Sequence, residues 1–198
     1  MPHMQPLPFD SVPADIQERF THYKETRGFT PNSIQTMARR PNIVRAFMEL
    51  NKVVLYEGTV SEELKMLVSL IASQAAGCRY CQAHMANLAK IYQASEDKIS
   101  HVWDYETSEL FSPAERAALR VACHGGMSPS QATQEHFDAL FEHFDEGQVV
   151  EIVAAISLFG FLNRWNDTMA TELEALPAQV ADDTIGATFG WEAGKHGA

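Results

Sequence analysis

Two cysteines and a histidine lie close together in residues 77–84, a segment that reads GCRYCQAH. Cys81 follows Cys78 by three positions, and His84 follows Cys81 by another three. If a helix begins at Cys78, the three side chains share roughly one face, and the two sulfurs can meet to form a disulfide. The unpaired N–H groups at a helix start also stabilise a thiolate, the reactive form of cysteine. The spacing therefore predicts a redox-active pair of thiols.

The chemistry that best fits this pair is the reduction of hydroperoxides. A thiolate attacks the O–O bond and becomes a sulfenic acid, and the second thiol condenses with it to a disulfide. An external dithiol then restores the pair by exchange. His84 can accept or deliver the proton, because imidazole titrates near neutral pH. Cys81 is nearer to His84 and is predicted to attack, whereas Cys78 is predicted to resolve the sulfenic acid and to exchange with the reductant.

Three other interpretations fit the same residues. The cysteines can be small buried hydrophobic residues without chemistry. They can belong to a zinc site, which needs four ligands, with His101 or Cys123 as the fourth, although no spacing selects either. Finally, the pair can pass a disulfide to another protein, as a redox partner or sensor with little peroxide turnover. Cys123 lies within an apolar helical pattern and is predicted to be structural. We predict no metal and no cofactor.

The composition is that of an ordinary globular protein. Of 198 residues, 45% are hydrophobic and 21% charged, and 15 Lys and Arg against 26 Asp and Glu give a net charge of −11. This balance argues against nucleic acids and anionic membranes as partners, because both require basic patches. No run of about 18 uninterrupted apolar residues predicts a membrane span, and residues 1–6 lack a secretory pattern. We predict a cytoplasmic protein, in which a close cysteine pair indicates redox work or metal binding.

Helical periodicity dominates the chain, and no strand-like alternation appears. We predict a single all-α domain over residues 1–198, with an extended arm at 1–13 and an irregular tail at 177–198. The run Leu64–Ala76 is apolar on most faces, which is typical of a buried helix. Helices are predicted over about 14–25, 43–56, 61–76, from 78 onward, and over about 95–103, 112–123, 130–144 and 145–174.

Polar residues interrupt the apolar pattern of the last long helix, in the segment NRWND at 163–167. One interpretation is that the helix emerges there into solvent. The other is that Arg164 and Asp167 reach an interface or the edge of a pocket. The roles of Asn163, Arg164 and Asp167 stay open at this point.

The cysteine segment resembles the carboxymuconolactone decarboxylase-like superfamily, and more closely its branch of AhpD-like alkylhydroperoxidases with a Cys-x-x-Cys pair. The segment GFTPN at 28–32, the pair Arg40-Pro41 and the pair Asn163-Arg164 look like its peroxidase-related members, and the resemblance covers about residues 28–170. It implies an all-α fold and a homo-oligomer, often trimeric or hexameric. It also implies a peroxidase cycle in which Cys81 attacks and Cys78 resolves. The resemblance further implies that a lipoyl-bearing protein reduces the pair and that the pair in turn reduces a peroxiredoxin.

Two positions depart from the family pattern. The family relays protons through a glutamate twelve residues before the first cysteine, a position that Met66 occupies here. Glu62 or Glu115 is the expected substitute. The family histidine often stands four residues after the second cysteine, whereas His84 stands three after it. These departures leave the dithiol chemistry in place and make the proton relay the open part of the site.

Overall fold

The fold of this chain is built from α-helices, and the computed structural model describes residues 1–197 of it. No β-strand occurs in those residues, so the predicted all-α fold is confirmed. The helices are α1 (Ala14–Arg27), α2 (Asn32–Met37), α3 (Pro41–Tyr56), α4 (Glu62–Ala75), α5 (Arg79–Ile91), α6 (Glu96–Ser100), α7 (Pro113–Gly126), α8 (Gln134–Phe141), α9 (Glu146–Met169), α10 (Ala175–Ala181) and α11 (Ala187–Phe189). Short 3-10 turns occupy Phe9–Ser11, Val102–Asp104 and Gly194–His196, and a π-helical segment occupies Asp182–Gly186.

Helix α4 lies at the centre of the core and packs against α5, α7 and α9. All its residues from Leu64 to Ser73 are buried, which confirms the buried helix predicted from its apolar sequence. Gly126, at the end of α7, permits a close approach, because a Cβ there would lie 2.7 Å from the carbonyl oxygen of Ala72. Any larger residue would push α7 away from α4. This packed centre fixes where α4 ends and α5 begins.

Side-chain caps define the starts of the helices around this centre. Ser61 accepts a backbone N–H at the start of α4. Ser112 and Glu115 form a reciprocal capping box at the start of α7, and Asp145 and Gln148 form another at the start of α9. Each cap satisfies N–H groups that have no partner within their own helix. The predicted starts of these helices are confirmed.

Helix α9 is long and apolar because it crosses the core. Within residues 1–197 it is the one helix with the length and composition to span a membrane, with a mean hydropathy of 1.3. It packs against α3, α4, α5 and α7, and 44% of its most apolar window is buried. The apolar composition of α9 therefore fits a core helix that has one face outside the core.

The end of α9 differs from the prediction. The helix stops at Met169 rather than near Glu174, because Ala170 takes a left-handed conformation with φ 47°. The chain then runs without regular structure to Glu174, which has φ −73° and ψ 149°. Glu174 therefore lies outside α9 and is the N-cap of α10.

The prediction of an irregular tail over residues 177–198 is wrong for the described part, because α10, the π-helical segment and α11 follow. Pro177 lies in the first turn of α10, where the missing N–H of a proline has no helical partner to lose. Helix α10 packs against α5. At the other end, residues 1–13 lack regular structure apart from one 3-10 turn, and the N–H of His3 donates to the carbonyl of Met169 at 3.0 Å.

Candidate active site

The cysteine pair lies at the turn between α4 and α5. Gly77 adopts φ 76°, a left-handed conformation that glycine takes without strain. Cys78 is the N-cap of α5, and Cys81 lies in its first turn. The N–H of Cys78 donates to the carbonyl of Ser73 at 3.1 Å, which ties the turn to the buried end of α4. The prediction of a helix that begins at or near Cys78 is confirmed.

The two thiols are free and buried, with Cys78 0% and Cys81 2% exposed. The thiol of Cys81 donates a hydrogen bond to the sulfur of Cys78. This bond, with the backbone N–H of Cys81, outweighs burial and lowers the pKa of Cys78. Burial raises the pKa of Cys81 well above its ordinary value. The first proton to leave the pair therefore comes from Cys78, and an attack by Cys81 requires a base.

Asn166 of α9 supplies a second hydrogen bond to the pair. Its Nδ2 donates to the sulfur of Cys81 at 3.4 Å, and the side chain is almost fully buried. This bond favours negative charge on Cys81 as the sulfur loses its proton. The polar segment 163–167 marked this part of α9 in the sequence as a candidate for function. The interpretation of the sequence named Asn163, Arg164 and Asp167 there, but not Asn166.

Arg164 and Asp167 do not line the cavity at Cys81. The guanidinium of Arg164 is exposed and donates to Ser128 Oγ at 3.3 Å. Asp167 pairs with Lys195 at 2.7 Å. Both residues, with Asn163, line a groove between α7 and α9 rather than the cavity at Cys81. The hypothesis that Arg164 and Asp167 reach the edge of a pocket therefore holds for this groove and not for the thiol site.

His84 forms a buried hydrogen bond with Glu174, which sequence reasoning missed. Its Nε2 lies 2.7 Å from Glu174 Oε2. Burial raises the pKa of Glu174, but His84 and the backbone N–H of Asn32 outweigh it and lower that pKa overall. Because an ionised carboxylate only accepts hydrogen bonds, Nε2 carries the proton, and Nδ1 is the nitrogen that can accept another.

Two aromatic rings hold the imidazole in place. Tyr80 stacks on His84 with ring centroids 4.2 Å apart, and Phe29 meets it edge-on at 5.4 Å. The hydroxyl of Tyr80 donates to Glu174 Oε1 at 3.0 Å and accepts the N–H of Ser33 at 3.4 Å. Burial raises the pKa of Tyr80 well above its ordinary value, so its hydroxyl stays a donor. One carboxylate therefore orients both Tyr80 and His84.

Cys81, His84 and Asn166 line one cavity of about 40 Å³, called the inner cavity here. A buried water needs roughly 10–15 Å³ on this measure, so the space admits a group larger than one water. Cys78 does not line it. The remaining walls are Tyr23, Arg27, Pro31, Ser33, Ile34, Phe47, Asn51, Leu55, Tyr80, Met85, Leu88, Phe159 and Leu162. The inner cavity thus offers a small reactant Cys81 and His84 together.

The expected substitutes for the family glutamate are not in this position. Glu62 is exposed, and Glu115 binds Lys98 and caps α7. Met66 is fully buried in the core. The acid on His84 is instead Glu174, 90 positions further along the chain. No spacing in the sequence signals such a distant contact.

The zinc interpretation gains no support from the described residues. Within residues 1–197, no group of three or more His, Cys, Asp or Glu is arranged to hold a metal ion. The Nδ1 of His101 lies 2.8 Å from the carbonyl of Asp97. Cys123 accepts a hydrogen bond from Tyr105, and burial raises its pKa.

Comparison with known proteins places these residues in context. Residues 41–123, which include the cysteine pair and His84, match the profile of the carboxymuconolactone decarboxylase family. The debrominase Bmp8 superposes with a TM-score of 0.84 and 35% identity, over 90% of this chain and 96% of that chain. A cysteine-to-alanine variant of Bmp8 in complex with 2,3,4-tribromopyrrole superposes with a TM-score of 0.85, also at 35% identity, over 90% and 95% of the two chains.

Two further relatives are more distant. The alkylhydroperoxidase AhpD core of a peroxidase-related protein from Ralstonia eutropha JMP134 shares the fold, with a TM-score of 0.79, over 89% of this chain and 94% of that chain at 23% identity. The uncharacterized protein YdfG from Bacillus subtilis (strain 168) is 27% identical over 128 residues, which are 64% of this chain and 84% of YdfG.

Proposed function

The chain belongs to the carboxymuconolactone decarboxylase family, and we propose that it is a thiol-dependent peroxidase of the AhpD-like branch. One observation carries the proposal: Cys81 and His84 line the same small cavity, and Glu174 lies behind the imidazole. This arrangement supports the proposal, because nucleophilic catalysis by a thiol uses a sulfur, a neighbouring base and an acid that orients the base.

The first step uses the proton that Cys81 holds. His84 Nδ1 takes this proton as the sulfur of Cys81 attacks the terminal oxygen of a hydroperoxide. The O–O bond breaks, Cys81 becomes a sulfenic acid, and the proton passes from His84 to the leaving alkoxide, which departs as an alcohol. Glu174 stabilises the imidazolium that forms in between. Asn166 stabilises the developing charge on Cys81.

The second step uses the thiolate of Cys78. It attacks the sulfur of Cys81, a disulfide forms, and hydroxide leaves with one proton as water. An external dithiol then reduces the disulfide by exchange and is itself oxidised. A lipoyl-bearing protein is the reductant we propose, with a peroxiredoxin as the other candidate partner. The low pKa of Cys78 suits it to both resolution and exchange.

Reductive debromination is a second candidate function, favoured by the 35% identity to the debrominase Bmp8. The same pair can supply two electrons: a C–Br bond is replaced by C–H, bromide leaves, the remaining thiol proton goes to carbon, and the sulfurs form a disulfide. The inner cavity, at about 40 Å³, suits a hydroperoxy group better than a brominated ring. Peroxide reduction is therefore placed first.

Thiol loss after mixing separates these functions. Reduced protein is mixed with one equivalent of cumene hydroperoxide or of 2,3,4-tribromopyrrole, and free thiols are counted over time. We expect rapid loss of two thiols with the hydroperoxide in the wild type. The same result is expected in Cys123→Ser, the matched control, and none in Cys81→Ser.

Other outcomes point to other functions. Loss with tribromopyrrole alone would select debromination. Fast exchange with lipoamide but no loss with either compound would leave a redox partner or sensor. Absence of an intramolecular disulfide under all conditions would exclude every function based on the pair.

A further inference from the structure

A second cavity of about 390 Å³ adjoins the inner cavity and is called the vestibule here. Four residues line both spaces: Tyr23, Arg27, Asn51 and Leu88. The vestibule is further lined by Arg19, His22, Thr26, Met48, Lys52, Tyr56, Ile91 and Tyr92. These four residues form a wall that the two spaces share.

The walls of the vestibule are aromatic and cationic. Tyr56 and Tyr92 lie with ring centroids 5.6 Å apart, and Arg27 lies over the ring of Tyr23 at 4.5 Å from its centroid. Such rings bind flat or apolar groups. A cluster of cations here contrasts with the net charge of −11 of the chain.

The cations of the vestibule differ in how their charge is balanced. Arg19 forms an ion pair with Glu49, and Lys52 lies 3.4 Å from Glu57. Arg27 has no carboxylate within 4 Å among residues 1–197 and donates to the hydroxyl of Tyr56 at 2.5 Å. Because this half-buried guanidinium lines both cavities, it presents an unbalanced positive charge to a group bound in either of them.

We propose that the vestibule binds organic substrates that carry a carboxylate beside an aromatic or apolar body, with Arg27 as the anion-binding residue. The substrate class for the thiol site is then an organic hydroperoxide acid rather than hydrogen peroxide or an uncharged peroxide. This inference rests on the proposed function for the identity of the reactive group. The anion site itself rests on Arg27 and the vestibule.

Binding measured without turnover tests the anion site. The probe is 4-(2-hydroxypropan-2-yl)benzoate, the alcohol product of a carboxylated cumene hydroperoxide, and its methyl ester is the neutral counterpart. Calorimetry gives both affinities for the wild type, Arg27→Gln, Arg27→Lys and the matched control Arg45→Gln. Arg45 pairs with Asp15 outside both cavities. The Arg45→Gln variant therefore removes one positive charge without changing either cavity.

We expect the wild type to bind the carboxylate about 10- to 100-fold more tightly than the ester, the range for a hydrogen bond between charged groups. We expect the ratio of the two affinities to fall to about one in Arg27→Gln, to be partly restored in Arg27→Lys and to be unchanged in Arg45→Gln. Equal affinities for acid and ester in the wild type, or a preference that survives Arg27→Gln, would overturn the inference.

The rates at which the protein consumes the two peroxides distinguish failure of the anion site from failure of the proposed peroxidase. If cumene hydroperoxide and its 4-carboxylate are consumed at equal rates and the alcohols bind equally, the anion site is wrong and the peroxidase stands. If neither peroxide is consumed but the carboxylate preference depends on Arg27, the anion site stands and the peroxidase is wrong.

Discussion

In the proposed peroxidase, Glu174 completes the proton relay at the thiol site. Its carboxylate holds His84 in the Nε2–H form, and a neutral amide in its place loses the charge that stabilises an imidazolium. In Glu174→Gln we therefore expect thiol oxidation by cumene hydroperoxide to slow about 100-fold. Stopped-flow measurement of the rate across pH checks this.

Glu62→Gln serves as the control for that experiment, because Glu62 is exposed and is one of the two substitutes for the family glutamate named from the sequence. Its rate is expected to equal that of the wild type. If the two variants lose activity equally, or if Glu174→Gln keeps the full rate, His84 does not act through Glu174.

The thiolate of Cys78 depends on the hydrogen bond from Cys81. Removal of this donor in Cys81→Ala is expected to raise the pKa of Cys78, because the bond from Cys81 is the main influence that lowers it. Thiolate absorbance against pH, recorded in a Cys123→Ser background, measures the change. A pKa of Cys78 that stays the same or falls would show that the helix start alone sets it.

The sequence alone predicts three residues of the candidate site and does not predict the others. Cys78, Cys81 and His84 lie within two turns of one helix, so local spacing predicts that they meet. Glu174 and Asn166 reach the site only through the packing of α9 and α10 on α5. Contacts between residues so far apart have no periodic signal in a single sequence.

Among the contacts between helices, Glu151 of α9 binds the loop that precedes α4. Its carboxylate lies 2.8 Å from the buried Nζ of Lys65 and accepts the N–H groups of Thr59 at 2.9 Å and Val60 at 3.0 Å. Burial opposes ionisation, but these partners lower the pKa of Glu151 to about 2. The contact therefore ties two helices and a loop around one carboxylate.

Glu151→Gln is expected to lower the free energy of unfolding by about 2–4 kcal/mol at pH 7, because Lys65 is left buried without its counter-charge. The native pKa lies below the unfolded value of roughly 4.3. The stabilisation is thus fully present above that value and is lost as the pH falls towards 2.

Urea unfolding at several pH values measures both effects, with the exposed Glu142→Gln as the control. We expect the difference between wild type and Glu151→Gln to narrow between pH 4.5 and 2. A difference that is constant over this window would mean that the charge of Glu151 contributes nothing.

The ends of the helices were predictable from the sequence where a capping residue marks them. They were less predictable where the backbone conformation of a single residue ends the helix. Ser61, Ser112 and Asp145 each signal a helix start by a side chain that can accept a backbone N–H. By contrast, Ala170 ends α9 in a left-handed conformation that alanine does not signal. Pro177 starts a helix here, although a proline also commonly follows a helix end.

At the scale of the whole molecule, α3 and α9 present a shared apolar face. Leu50 and Val53 of α3 are each 53% exposed, and Phe161 of α9 is 45% exposed and stacks on Phe47 at 5.8 Å. Apolar side chains grouped in this way are typical of interaction surfaces. The family resemblance predicts a homo-oligomer, and this face is a suitable place for its contacts.

Light scattering of the purified protein is expected to give a multiple of the chain mass of 22.1 kDa. Leu50→Glu is expected to shift the mass towards one chain, because it brings a charge into an apolar contact. The control is Glu142→Gln, which leaves this face unchanged. A wild-type mass of one chain at micromolar concentration would contradict the prediction.

The identity of the oxidised sulfur tests the proposed peroxidase most directly. In Cys78→Ser the resolving thiol is absent, so a sulfenic acid formed on Cys81 persists and can be trapped with dimedone. After one equivalent of cumene hydroperoxide, peptide mass spectrometry is expected to find the label on Cys81. Unlabelled Cys81 in protein that has consumed the peroxide, or a label on Cys123 instead, would contradict attack by Cys81.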